Sequence, residues 1–162
     1  MILIGLGANL PSSAGPPRAT LEAALAALEQ AGVKITARSR WYKTAPVPVS
    51  HQPAFVNGVV AVETKLEPAE LLALLQRIEA QFGRQRGVRD AARTLDLDIL
   101  DYDGRVEDGP GLTLPHPRMD HRAFVLKPLA EVAPDWRHPR LGKAVADLIA
   151  ALPPEQKAEP IA

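Results

Sequence analysis

The chain has 162 residues, no cysteine, and 19 basic against 19 acidic side chains, for a formal net charge of zero. A general binder of nucleic acid or anionic membrane needs a basic excess, and the missing thiols exclude disulfides, zinc-thiolate sites and cysteine nucleophiles. With 46% hydrophobic residues and no apolar run near the roughly 18–20 residues of a membrane span, the expectation is a cytoplasmic protein with one domain over residues 1–152.

Residues 2–6 (ILIGL) read as a short apolar strand, followed by a Pro/Ser/Gly-rich loop. Residues 19–31 carry apolar positions at helical spacing, and Gly32 is a stop signal. Residues 33–42 alternate, with Val33, Ile35, Ala37 and Trp41 to one side, which predicts a second strand. Three prolines exclude regular structure from residues 43–53. Residues 54–63 form a third strand with Val56, Val60 and Val62 on one face, and residues 68–82 a second helix opened by Pro68 and closed by Gly83. An arginine-rich loop leads to the strand RTLDLDIL at 93–100.

Asp103-Gly104 is a hairpin signal that predicts a return through residues 105–107, with a further turn at 108–111. A helix capped by Asp120 and broken near Pro128 follows, then a last amphipathic helix over 142–152 and a frayed tail at 153–162. The order β-α-β-β-α-β implies an α+β fold with a ferredoxin-like core: an antiparallel sheet with both helices on one face. The other face, bearing Asp96 and Asp98, is then expected to lie open to a ligand.

Those two aspartates are the main chemical signal. Residues i and i+2 of a strand point the same way, about 6.5–7 Å apart. Taken alone, such a pair is as readily a solvated strand face as a magnesium site, in which one or two carboxylates, waters and substrate phosphates share the ion. The preceding GRQRGVRDAAR, residues 83–93, supplies Arg84, Arg86, Arg89 and Arg93. It reads either as a solvated charge run or as guanidinium groups matched to phosphate oxygens. Cations and carboxylates feeding one site are what a metal–triphosphate complex requires. His116, between two prolines, could donate to a phosphate or sugar oxygen, and Arg118 and Arg122 add positive charge. Phe55 and Asn57 lie two apart on the third strand, opposite its valines. With Phe124 they could stack and hydrogen-bond a flat heterocycle, or be ordinary surface residues. Gln76 and Glu79 share a helix face. No Walker-type glycine cradle, Rossmann spacing or G-x-S-x-G is present.

Residues 89–100, with Arg89, Ala91-Ala92-Arg93 and Asp96-Leu97-Asp98-Ile99-Leu100, resemble the signature of the 6-hydroxymethyl-7,8-dihydropterin pyrophosphokinase family. Gly5-Leu6-Gly7-Ala8-Asn9-Leu10, Trp41-Tyr42-Lys43-Thr44-Ala45-Pro46, Gln52-Pro53 with Phe55 and Asn57, and Leu114-Pro115-His116-Pro117-Arg118 resemble further family segments, as do Arg122, Phe124-Val125-Leu126 and Pro128-Leu129-Ala130-Glu131. The resemblance covers roughly residues 2–150. It implies transfer of pyrophosphate from ATP to the hydroxymethyl group of a reduced pterin, releasing AMP, with two Mg²⁺ ions on Asp96 and Asp98. Phe55 and Phe124 would sandwich the pterin, with Asn57 and backbone groups of Thr44, Ala45, Pro46 and Val47 reading its edge. Gln76, Arg84, Arg93, Ile99, Thr113, His116 and Arg122 would contact ATP or its phosphates, with Glu79 a nucleotide-side acid. Arg84 and Arg93 would act with the two aspartates in catalysis. The competing expectation is a non-catalytic ferredoxin-like module that binds a ligand or single-stranded RNA.

Overall fold

The computed structural model describes residues 1–44, 54–83 and 94–161. The alternating stretches form strands β1 (Ile2–Ala8), β2 (Lys34–Arg38), β3 (Tyr42–Thr44), β4 (Phe55–Glu63) and β5 (Asp96–Tyr102). The two stretches of helical period form α1 (Pro17–Gln30) and α2 (Pro68–Gln81). A hairpin of β6 (Glu107–Gly109) and β7 (Leu112–Leu114) follows, then α3 (Ala123–Val132), α4 (Val145–Ala150) and β8 (Ala158–Pro160). The main sheet runs β5-β1-β4-β3-β8, with β2 also paired to β4, and its neighbours are antiparallel.

The sheet has apolar side chains on both faces, so it is covered on both. On one side Ile2, Ile4 and Leu6 of β1, Val60 and Val62 of β4, and Leu97 and Ile99 of β5 pack with Leu21, Leu25 and Leu28 of α1 and Leu71, Leu75 and Ile78 of α2. On the other, Leu3, Val59, Ala61 and Leu100 pack with Val125, Leu126 and Leu129 of α3 and Val145 and Leu148 of α4. Each such side chain contributes about 1.5–3 kcal/mol when fully buried. The second face is therefore not the open platform that the sequence implies. The pattern for α3 and α4 is present in the sequence, but nothing local says which side of the sheet they cover.

Local chemistry sets the element ends. Pro17 and Pro68 open α1 and α2, where a missing N–H costs nothing. The Glu70 carboxylate takes the Glu67 N–H at 3.0 Å. The expected strand 33–42 splits at Ser39. Its N–H donates to the Val59 carbonyl at 2.9 Å, and its hydroxyl oxygen accepts the Val59 N–H at 3.0 Å. Beyond the break, the Trp41 indole covers Gly58, where an added Cβ would lie 2.5 Å from the ring. Its Nε1 donates to Glu22 at 2.7 Å.

Several expectations need correcting. Asp103 and Gly104 do form a tight turn with φ of 53° and 72°, but no return strand pairs with β5. The Asp103 N–H goes to the Met1 carbonyl at 2.9 Å, and β6 pairs with β7 instead. Asp120 caps no α-helix: it lies in a 3₁₀ turn, Met119–His121. The helix starts at Ala123 and runs through Pro128 without breaking. The last helix is shorter than expected, Val145–Ala150. The tail is not frayed: β8 pairs with β3, and the Ile161 N–H donates to the Trp41 carbonyl at 2.8 Å.

Glu131 on α3 joins helix to sheet. Its carboxylate accepts the Tyr42 hydroxyl, the Arg40 backbone N–H at 2.9 Å and the Arg40 guanidinium at 3.1 and 2.9 Å. Burial, followed by the contact with Glu131, pushes the Tyr42 phenol up to about 12. Burial alone would raise the Glu131 carboxyl, but its hydrogen bonds from Arg40 and Tyr42 outweigh that and hold it below its ordinary value of 4.5. Glu131→Gln is expected to cost about 1–3 kcal/mol in urea denaturation at neutral pH. A carboxyl with a depressed folded pKa stabilises above its unfolded value and loses that contribution as pH falls. The gap between the two proteins should therefore narrow below pH 4.5; a constant gap would show that the charge is not what Arg40 and Tyr42 recognise.

Candidate active site

Register brings the candidate residues together. On β5, Asp96 lies opposite Gly7 and Asp98 opposite Gly5. On the other flank of β1, Gly7 lies opposite Asn57 and Gly5 opposite Val59. Opposed residues of an antiparallel pair share a face, so Asp96, Gly7 and Asn57 form one row across three strands, with Asp98 beginning the next. The two glycines leave bare backbone between the carboxylates and the amide. Above it is a solvent-open hollow with about 290 Å³ of atom-free space, lined by Gly5, Gly7, Asn57, Asp96, Asp98 and Phe124 among others. A Cβ added at Gly7 would fall 2.6 Å from Asn57 Nδ2, and one at Gly5 would come within 3.3 Å of Leu100.

Asn57 is held from behind. The Thr44 hydroxyl donates to Asn57 Oδ1 at 2.7 Å, and both residues are buried. That bond uses the amide's acceptor and turns its NH₂ group, two donors, over Gly7. The sequence reading assigned only backbone groups to Thr44; its side chain does the orienting. Phe55, half-buried, lies two residues before Asn57 and opposite Thr44. Phe124 sits in the first turn of α3, its ring 5.2 Å from the Arg122 guanidinium carbon. Ala45, Pro46, Val47, Gln52 and Pro53 lie outside the described residues.

His116 is brought beside β5 by its own backbone, whose N–H donates to the Leu100 carbonyl at 2.9 Å. The Arg118 N–H donates to its Nδ1 at 3.2 Å, so in the neutral ring Nε2 carries the proton. Nε2 lies 3.9 Å from Asp98 Oδ1. Burial, reinforced by Arg122 and Arg118 and opposed by Asp96, lowers the imidazole pKa to about 4. At neutral pH the ring is an uncharged N–H donor at the edge of the acidic pair.

The other candidates divide. Glu79 is buried on α2 and accepts the Leu97 N–H at 2.8 Å. Leu97 separates the two aspartates, so this carboxylate ties the start of β5 to a helix. The expectation of a nucleotide contact does not fit that inward placement. Gln76, three residues earlier, is exposed. The Ile99 side chain is buried in the layer of α1 and α2, on the face away from the hollow, which leaves only its backbone for a ligand. Thr113 lies half-buried on β7 opposite Asp108. Arg84, Arg86, Arg89 and Arg93 lie outside the described residues.

Among the described residues no three His, Asp or Glu side chains cluster as a metal cage. Two carboxylates at a solvent-open hollow fit an ion that keeps waters and takes phosphate oxygens, as Mg²⁺ does. The Asp98 side chain is 42% exposed, so its oxygens are accessible. The Gly5-x-Gly7 spacing was the readable sign of this hollow, since glycine within a strand marks close approach. The Glu79 and Thr44 tethers had no such sign.

The family model described as 7,8-dihydro-6-hydroxymethylpterin-pyrophosphokinase (HPPK) matches residues 3–134. The chain is 44% identical over 153 residues to the 2-amino-4-hydroxy-6-hydroxymethyldihydropteridine pyrophosphokinase of Pseudomonas aeruginosa, covering 94% of this chain and 91% of that one. It is 43% identical over 148 residues to the like-named protein of Synechocystis, covering 91% of this chain and 73% of that one. Among solved structures, wild-type Plasmodium falciparum HPPK-DHPS with pteroate matches at a TM-score of 0.71 and 15% identity. That match spans 92% of this chain but 43% of the longer protein, and it carries the fold alone.

Gly7→Ala tests the hollow directly. The added methyl must displace the Asn57 amide or strain β1, so a loss of about 1–3 kcal/mol is expected. The Asn57 side-chain NH₂ signals should shift by NMR. An unaltered stability and spectrum would mean that the close approach is not real.

Proposed function

The chain belongs to the 7,8-dihydro-6-hydroxymethylpterin-pyrophosphokinase family, and from that premise we propose how its residues carry out the reaction. The chain transfers pyrophosphate from ATP to 6-hydroxymethyl-7,8-dihydropterin in folate biosynthesis. Family membership also sets aside the RNA-binding or non-catalytic module. The observation that carries the residue roles is the pair Asp96 and Asp98, set over bare β1 backbone in the same hollow as Asn57 and Phe124.

The hydroxyl of the pterin attacks the β-phosphorus of ATP in line, and AMP leaves. Asp96 and Asp98 would hold Mg²⁺, two ions by the family resemblance, and the bound metal would supply neutralisation of the triphosphate charge and a lowered pKa at the attacking hydroxyl. Asn57, its carbonyl taken by Thr44, presents its NH₂ to the acceptor edge of the pterin ring, between the planes of Phe55 and Phe124. The neutral His116 Nε2–H donates to a nucleotide oxygen without drawing a proton from the medium. Arg122 and, outside the described residues, Arg84 and Arg93 meet the phosphates. The exposed Gln76, the half-buried Thr113 and the backbone of Ile99 contribute to holding ATP. Catalysis of this kind is positioning plus fixed electrostatics, with no covalent protein intermediate.

The order β5-β1-β4-β2 with antiparallel neighbours supports the ferredoxin-like assignment of the core. No helix among the described residues is long and apolar enough to cross a membrane; we take the enzyme to be cytoplasmic. We take it to act as a monomer with a single catalytic domain.

Asp96→Asn and Asp98→Asn are each expected to lower AMP release roughly 10²-fold or more, the usual scale for removing a charge aimed at the transition state. Pterin binding by calorimetry should survive. Near-normal turnover in both variants across a range of Mg²⁺ concentrations would end the metal assignment. Arg93→Ala should slow the chemical step more than it weakens pterin binding. Equal losses of rate and affinity would move Arg93 away from the phosphates.

A further inference from the structure

The family match ends at residue 134, yet the segment 156–161 contacts residues that adjoin two walls of the hollow. On one side β8 pairs with β3, with Ala158 opposite Thr44, and Thr44 is the residue that turns the Asn57 amide. On the other, Gln156 reaches the start of α3. Its Oε1 accepts the Ala123 N–H at 3.1 Å, and its Nε2 donates to the His121 carbonyl at 2.8 Å. Those two groups bracket Arg122 and immediately precede Phe124. No side chain at the N-cap of α3 itself makes a capping bond; Gln156 satisfies that helix end from a distance in sequence. Ala158 is buried in a small cluster with Tyr42 and Ala123, which closes the gap between the two contacts. Lys127 on α3 donates to the Ala158 carbonyl at 3.5 Å.

We propose that this C-terminal segment is part of the active-site scaffold, with Gln156 a positioning residue that sets Phe124 and Arg122 at the hollow through the Ala123 N–H and the His121 carbonyl. The proposal rests on the reading above that Phe124 faces the pterin. Gln156 itself touches no substrate. The amide is suited to the task because one group must accept and the other donate, a pairing that neither a carboxylate nor a hydrocarbon reproduces.

The test uses the full chain, with steady-state kinetics for pterin and ATP and a thermal midpoint for each variant. Gln156→Ala and Gln156→Met are both expected to raise the pterin KM roughly three- to tenfold, the scale of one or two lost hydrogen bonds. Their kcat should fall less than the pterin KM rises, since Asp96 and Asp98 are held independently of Gln156, and a displaced Arg122 should show as a raised ATP KM. Gln156→Glu supplies the rescue. As a carboxylate it offers two acceptors and repels the His121 carbonyl; protonated, it donates and accepts like glutamine. Its pterin KM relative to the unaltered chain should therefore fall toward one as the pH is lowered through the ordinary glutamate range, about 4.3. A lowered midpoint with unchanged pterin KM in the alanine and methionine variants would make the contact merely structural and overturn the proposal. So would a Gln156→Glu ratio that is flat with pH. Phe124→Ala separates the two levels: if it leaves pterin KM unaltered, the pterin-site reading fails. If it raises KM while Gln156→Ala does not, only the positioning role fails.

Discussion

Two like charges held side by side on β5, next to a strand whose facing positions Gly5 and Gly7 carry no side chains, are the constraint around which the site is arranged. Asp96 and Asp98 project from β5 about 6.5–7 Å apart. Glycine at positions 5 and 7 leaves the adjoining backbone bare, and Asn57 closes the row with a neutral amide. Glycine weakens a strand. Here the loss is offset because β1 is central, bonded on both edges, and its Ile2, Leu3, Ile4 and Leu6 are buried between two layers of helices.

Each polar group near the hollow is set by something that does not move easily. Thr44 fixes the Asn57 amide, the Leu97 N–H is fixed by buried Glu79, and His116 is fixed by its backbone bond to Leu100 and by the Arg118 N–H on Nδ1. Such support is what makes electrostatic stabilisation effective, because groups already aimed need no reorganisation as charge develops. The neutrality of His116 belongs to the same design. A buried imidazolium between Arg122 and Arg118 would be expensive, so the ring stays uncharged and donates.

The helix α3 carries Phe124 and is attached from opposite ends. Glu131, in its last turn, receives Tyr42 of β3 and Arg40 of the break before it. Its first turn is held by Gln156. Between them the helix packs Val125, Leu126 and Leu129 onto Leu3, Val59 and Ala61. A surface that would otherwise be open sheet becomes a walled hollow beside Phe124.

The sequence by itself determined the elements whose patterning is local: β1, α1, β4, α2 and β5, the alternation that puts Asp96 and Asp98 on one face, and the motifs of the family. These depend on residues within a few positions of each other, where spacing and turn chemistry suffice. Tertiary structure alone decided the rest. Whether Ser39 breaks a strand depends on its bonds to Val59; whether 105–107 returns to β5 depends on β7 being a better partner. Whether the tail frays depends on an edge left free by β3. The same holds for Glu79, legible as an acid on a helix but given its role by the Leu97 N–H, and for Ile99, in the signature run but turned into the core. A hydrogen-bond donor or a sheet edge supplied from dozens of residues away leaves no trace in local periodicity, and those are the contacts that shape the site.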